Sequence, residues 1–174
     1  MLDACGSNLD LTPRYARAPR GERAIGIVPR NTPTNTTLIA ARTPQGIGPS
    51  MLLTGAADMS AFETYITTIL APTLRPGQIV VCDNLSTHKS PRVAAAIAAR
   101  GCTRWFLPTY SPDYSPIEAA FAKLKAAWRR AAARTVPELY DTICDSLSTI
   151  TPTDARNFFR NCGYPIPQAM VQSL

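Results

Sequence analysis

Gln78-Ile-Val-Val-Cys-Asp83-Asn-Leu-Ser-Thr-His-Lys89 opens with an apolar run that does not alternate with polar residues. Such a run predicts a strand covered on both faces, as the inner parallel strands of α/β sheets are. The run stops on Asp83. Ligand chemistry in open α/β sheets gathers beyond the carboxyl ends of the strands, so a carboxylate there is a candidate for function. An Asp-Asn pair also starts turns well, and from these residues alone both readings stand.

Working upstream, Ser60 begins a helical pattern with Phe62, Tyr65, Ile66, Ile69 and Leu70 on one face, ending before Pro76-Gly77. Before it lie three short β-prone runs, 24–30 (AIGIVPR), 36–42 (TTLIAAR) and 50–54 (SMLLT), separated by Asn-Thr-Pro and Pro-Gln-Gly turn signals. They predict an antiparallel meander. Downstream come an Ala-rich helix from Pro91 to Arg100, a Gly101 stop, a strand from Thr103 to Leu107, and a Pro/Ser/Tyr loop. A long helix from Pro116 to about Arg134 and helical stretches at about 137–149 and 153–161 complete the chain. The order predicts an α/β fold, with a mixed central sheet flanked by helices.

The 174 residues, 45% of them hydrophobic, suffice for one domain with a proper core. Eighteen Lys and Arg against twelve Asp and Glu leave a charge of +6, which favours a polyanionic partner without establishing one. The five cysteines, Cys5, Cys82, Cys102, Cys144 and Cys162, are scattered without the close pairs of zinc sites, and imply a reduced, cytoplasmic protein. No apolar stretch approaches the roughly 20 residues of a membrane span.

Glu118 begins with a structural explanation: Ser115-Pro116-Ile117-Glu118 is a capping-box pattern. Ser60-Ala61-Phe62-Glu63 and Thr135-Val136-Pro137-Glu138 share that form, and Thr151-Pro152-Thr153-Asp154 nearly does. Spacing alone therefore makes Glu118 a cap. Its helix argues for more, because Ile117, Phe121, Leu124 and Trp128 form one apolar stripe while Glu118, Lys125 and Arg129 share a neighbouring face. A carboxylate continuing into cations suits a bound phosphodiester, although an ordinary solvated face has the same pattern. Arg14, Arg17, Arg20, Arg23 and Arg30 surround Tyr15 in a segment that is either a DNA-backbone track or a solvated loop. Tyr110 and Tyr114 either stack on bases or pack on loop prolines. His88, the only histidine, precedes Lys89 and is expected either at a phosphate or behind a metal ligand, with a plain structural role as the alternative. Asn84 either orients Asp83 or forms the turn.

Met1-Leu-Asp-Ala-Cys-Gly6, Arg14-Tyr-Ala-Arg-Ala-Pro-Arg-Gly21, Val80-Val-Cys-Asp-Asn-Leu-Ser-Thr-His-Lys89, Phe106-Leu-Pro-Thr-Tyr-Ser-Pro-Asp-Tyr-Ser-Pro-Ile-Glu118 and Phe158-Phe-Arg-Asn-Cys-Gly-Tyr164 occur in that order. Together they resemble the DDE transposases of the bacterial insertion-sequence branch of the Tc/mariner superfamily, over nearly the whole chain. Residues 84 to 117, thirty-four in all, separate Asp83 from Glu118, the interval of that branch. The resemblance implies an RNase H-like domain over 1–174, with Asp3 on the first strand, Asp83 at the end of the fourth and Glu118 on a following helix. It implies a catalytic triad of Asp3, Asp83 and Glu118 holding two Mg²⁺ ions, with Mn²⁺ as a substitute. That site would cut double-stranded DNA at transposon terminal inverted repeats and join the 3′-hydroxyl to target DNA. Arg14, Arg17, Arg20, Arg23, His88, Lys89, Lys125 and Arg129 would contact DNA. A homodimer, or assembly with full-length transposase, is the expected organisation.

Two departures accompany the resemblance. Ala4 stands where the family commonly has Glu, which predicts a missing supporting acid. Only Met1 and Leu2 precede Asp3, so the first strand is expected to be truncated and the family's helix-turn-helix region absent. A non-catalytic remnant that binds DNA or full-length copies is therefore a rival reading, and an RNA:DNA hybrid nuclease a third.

Overall fold

The computed structural model describes residues 1–29, 35–109 and 111–166. Five strands form one mixed sheet in the order β3-β2-β1-β4-β5. They are β1 (Leu2–Ser7), β2 (Thr36–Thr43), β3 (Gly46–Thr54), β4 (Ile79–Cys82) and β5 (Thr103–Phe106). The first three make an antiparallel meander, and β4 and β5 extend it in parallel from the other side of β1. Each parallel step needs a helical crossover. The first is a continuous helical segment whose α-helical start, α1 (Met59–Thr64), passes into a wider turn over Tyr65–Leu70 and a tight one over Ala71–Thr73. The second is α2 (Pro91–Ala98). Gly101 at φ 67° turns that helix toward β5, a backbone conformation suited to glycine. Helices α3 (Pro116–Ala131), α4 (Val136–Leu147) and α5 (Pro152–Asn161) follow.

One expectation fails. Residues 24–29 form no strand, and Ile25 and Ile27 are 91% and 92% exposed; Arg30 lies outside the described residues. The meander takes Leu2–Ser7 as its first strand instead. The physical reason is occupancy: β1 pairs along its full length with one edge of β2 and β3 takes the other, so 24–29 has no place beside β2 in the meander. β1 overlaps β4 only at Leu2↔Cys82, a short parallel contact.

The pleat sorts β1 into two faces. Leu2 and Ala4 pair with Ala41 and Ile39 and join the core under α1 and α2, which includes Phe62, Ile66, Val80 and Ile97. Asp3 and Cys5 pair with Ala40 and Leu38, and Cys5, Leu38 and Ala40 belong to the core under the three C-terminal helices. Asp3 therefore stands on the α3 side of the sheet. There Ile117, Phe121, Leu124 and Trp128 are all buried, fixing the rotation of α3 and with it the direction of Glu118. Among the described residues no helix is long and apolar enough to cross a membrane.

Trp128 is the anchor of this second core: it is 1% exposed and its indole N–H donates to Ser146 Oγ at 2.8 Å. Trp128→Ala is expected to lower unfolding free energy by about 3–5 kcal/mol. Trp128→Phe, which leaves the Ser146 hydroxyl without its donor, should cost about 1–3 kcal/mol. Urea titrations of the two variants followed by circular dichroism measure both, and equal losses would contradict the role given to the ring volume.

Candidate functional site

β1, the end of β4, the loop after β5 and the start of α3 enclose a cavity of about 400 Å³ lined by Asp3, Asp83, Asn84, Ser115 and Glu118 among others. The three acids expected from the sequence are thus brought together, each from a different element.

Asp3 is the deepest. Burial pushes its carboxyl up to about 6; the Ala4 N–H, donating to Oδ1 at 2.7 Å, acts against that rise, while the negative charges of Asp83 and Glu118 add to it. Ala4 itself packs toward the α1/α2 core. An acid in its place would leave β1 on the side opposite Asp3, so the alanine removes no carboxylate from the cavity face.

Asp83 behaves differently. Burial works against its ionisation, but contact with His88 and the Leu85 N–H donating at 3.2 Å outweigh it and hold the carboxyl below the usual range. Both contacts fall on Oδ1, and His88 Nδ1 meets it off the line of a well-directed hydrogen bond. His88 is 3% exposed and its ring stacks on Phe62 with centroids 4.1 Å apart. It therefore backs the carboxylate, and its burial leaves no exposed face for a phosphate. Lys89, next to it, is exposed. Asn84 does not bond to Asp83; its Nδ2 donates to Thr109 Oγ1 at 3.1 Å, tying the end of β4 to the loop after β5.

Glu118 is not a cap. Ser115 makes no side-chain capping bond at α3, whereas Thr135 with Glu138 and Thr151 with Asp154 both form complete capping boxes. Glu63, the other residue in such a pattern, is not a cap either: Asp58 caps α1, and Glu63 accepts from the Ser90 hydroxyl and from Arg92 at 3.0 Å. Among the described residues Glu118 makes no side-chain hydrogen bond, and it is exposed at the cavity rim.

Sequence reasoning missed the scaffold behind His88. Arg104 Nη1 donates to the His88 and Ser90 carbonyls at 2.8 and 3.3 Å, and Ser90 in turn bonds Glu63. These contacts join α1, the turn after β4 and β5, so no local pattern announces them. The Ser90-Pro91 helix start was the one available signal.

The predicted basic residues divide. Arg14, Arg17, Arg20 and Arg23 are exposed on the segment between β1 and β2, and Lys125 and Arg129 are half-buried on α3. Arg14 and Tyr15 meet Arg129 and Arg130 around a second, smaller cavity of about 270 Å³. Tyr114 is exposed beside the first cavity, its carbonyl accepting from Tyr164 OH at 2.8 Å; Tyr110 lies outside the described residues.

Among the described residues no group of three or more His, Cys, Asp or Glu side chains is already disposed to hold a metal ion. The donor chemistry nevertheless fits a hard divalent cation. The three acids offer only oxygen, Asp83 Oδ2 and Glu118 take no hydrogen bond from the described residues, and the cavity has room for waters and a phosphate.

A comparison of the sequence with curated proteins gives no significant match. Among solved structures, the fold is similar to a Mos1 transposase paired-end complex with left transposon end, at TM-score 0.72 and 16% identity over 93% of this chain and 50% of that chain. A mariner Mos1 paired-end complex with Mg gives 0.67 and 17% over the same shares. The Mos1 transposase catalytic domain with raltegravir and Mg gives 0.60 and 14%, over 74% of this chain and 70% of that one. The chain thus spans about half the length of the longer Mos1 chains it matches.

The raised carboxyl of Asp3 has a measurable consequence. Asp3 holds its proton more tightly folded, at about 6, than unfolded, near 3.8. Its contribution is fully present below about 3.8 and is lost as pH rises through about 6, so in metal-free protein stability falls across that window. Asp3→Asn is expected to raise metal-free stability at pH 7.5 by on the order of 2–3 kcal/mol, with the difference gone by pH 4. Denaturation in chelator at the two pH values checks this; a gain that does not vary with pH would be inconsistent with it.

A family model described as DDE superfamily endonuclease matches residues 1–140, which with the shared fold and the three acids on one cavity places the chain in the DDE superfamily endonuclease family.

Proposed function

We propose that this chain is the catalytic domain of a DNA transposase, with Asp3, Asp83 and Glu118 as its catalytic carboxylates. The observation that carries the reading is the release of Glu118 from the capping role its sequence suggests. A carboxylate at a helix start would ordinarily satisfy backbone N–H groups, yet this one makes no such bond and joins two other acids on one cavity. Three acids sharing one cavity repel one another, and a cationic ligand would relieve that repulsion while keeping all three ionised.

The three carboxylates would hold two Mg²⁺ ions, or Mn²⁺ in their place. Bound there, the ions would make water or a 3′-hydroxyl nucleophilic at neutral pH and offset charge on the scissile phosphodiester. The chain's own part is to hold the oxygens in place. His88 fixes Asp83 in its ionised form and on one oxygen, Ala4 N–H orients Asp3, and the apolar stripe of α3 sets Glu118. The substrate class proposed is double-stranded DNA, cut at transposon ends and joined to a target. The exposed arginines between β1 and β2, with Lys89, Lys125 and Arg129, would take its backbone. The whole transposition reaction, and a homodimer or an assembly with full-length transposase, belong to this proposal. Mos1 transposase, whose complexes with transposon ends share the fold, supports it by analogy.

Mn²⁺-dependent nicking of a terminal-repeat duplex should be abolished by Asp83→Ala. His88→Ala, which keeps the ligand but frees it, should weaken apparent Mn²⁺ affinity about 10–100-fold. Binding of that duplex without nicking by the folded protein would count for the non-catalytic remnant, and cleavage confined to RNA:DNA hybrids for the hybrid nuclease.

Replacing Arg14, Arg17, Arg20 and Arg23 together by glutamine should weaken duplex binding and reduce the slope of log affinity against log salt by about 3–4. An unchanged slope in fluorescence-anisotropy titrations would remove this segment from the DNA path.

A further inference from the structure

Arg42 is 1% exposed, and no acid among the described residues forms a salt bridge with it. Its charge rests on carbonyls. Nη1 donates to the Pro116 carbonyl and Nη2 to the Ala155 carbonyl at 2.8 Å, while the guanidinium lies 4.6 and 5.3 Å from the ring centres of Phe158 and Phe159. Among the described residues Nε finds no partner. A buried cation held without a carboxylate is expensive, and an apolar side chain of the same volume would satisfy packing alone.

The placement of those bonds gives the charge a use. Arg42 lies on β2 two residues beyond Ala40, the cross-strand partner of Asp3. Its backbone is pinned to the start of β1, donating to the Met1 carbonyl at 2.7 Å and accepting from the Met1 amino group at 3.0 Å. Pro116 is the first residue of α3, two before Glu118, and that helix start has no side-chain cap. One planar fork therefore joins the strand beside Asp3 to the turn that carries Glu118, with α5 closing over the other prong. Lysine cannot reproduce a fork that serves two carbonyls from different helices at once.

We propose that Arg42 is a positioning residue for Glu118: its buried guanidinium fixes the first turn of α3 against β2 and so sets how Glu118 stands to Asp3. The proposal rests on the reading of Asp3, Asp83 and Glu118 as one cation-binding site.

The test uses the whole chain as wild type, Arg42→Lys, Glu118→Gln and the double variant, with two readouts: amide hydrogen exchange without metal, and binding of Mn²⁺ alone by electron paramagnetic resonance. In Arg42→Lys the amides of residues 119–121 should exchange on the order of 10-fold faster, with the C-terminal half of α3 and the β2–β3 ladder unchanged. Its Mn²⁺ affinity should fall about 10–100-fold. The double variant should bind no more weakly than the weaker single one, because both changes remove the same ligand.

Unchanged exchange at 119–121, a loss spread evenly over the domain, or losses that multiply in the double variant would each overturn the proposal. If Arg42→Lys does not fold, Arg42→Met serves with the same readouts, and failure of both to fold would make Arg42 a folding residue and overturn it as well. Wild-type protein that binds no Mn²⁺, or binding indifferent to Glu118→Gln, would instead sink the site reading; the exchange data then decide alone whether Arg42 holds the turn.

Discussion

Three carboxylates on separate elements share one cavity, and the repulsion between them is the constraint to which the surrounding structure answers. Like charges brought together resist joint ionisation, and burial adds to the cost. The protein meets this by treating the acids unequally. Asp3, deepest and on a strand, is pushed up to about 6, while Asp83 is held low by a buried histidine and Glu118 is left exposed. A site with one acid ready to take a proton, one fixed as an anion and one at the rim can fold without a cation and still receive one.

Holding Asp83 ionised requires His88 to stay put, and the depth of its support reflects that. The ring is stacked on Phe62, the carbonyls of His88 and Ser90 are gripped by Arg104, and Ser90 is secured by Glu63. Strand β5, the turn after β4 and helix α1 thus converge on one imidazole. On the other side of the sheet, α3 is oriented by Ile117, Phe121, Leu124 and Trp128, so the two faces of the sheet each position one carboxylate and β1 between them supplies the third.

Much of this was legible in the sequence where the signal is local. The run ending on Asp83 announced an inner strand, and the stripe on α3 announced its buried face. The segment 24–29 looked like a strand because Ile25, Ile27 and Val28 are β-prone, yet propensity does not say whether a partner edge is free; Leu2–Ser7, too near the start to define a strand by pattern, occupied it. Glu63, Glu118, Glu138 and Asp154 share nearly one local pattern and have three fates: Glu138 and Asp154 cap their helices, Glu63 binds Ser90 and Arg92, and Glu118 faces the cavity. Only long-range contacts separate them. Arg104 and Arg42 were invisible for the same reason, their partners being distant carbonyls that no spacing rule encodes.

The basic end of α3 shows how structural and functional explanations of one feature are separated. Glu118 lies in its first turn and Arg129 and Arg130 in its last. That polarity matches the helix dipole, which favours acids at the start and bases at the end, so it would arise without any nucleic acid. Arg14 and Tyr15 have no such explanation. They arrive from the exposed segment between β1 and β2 and complete a cavity with Arg129 and Arg130, gathering cations that repel one another. The unfavourable part of the arrangement, not the favourable part, is what argues for a polyanion there.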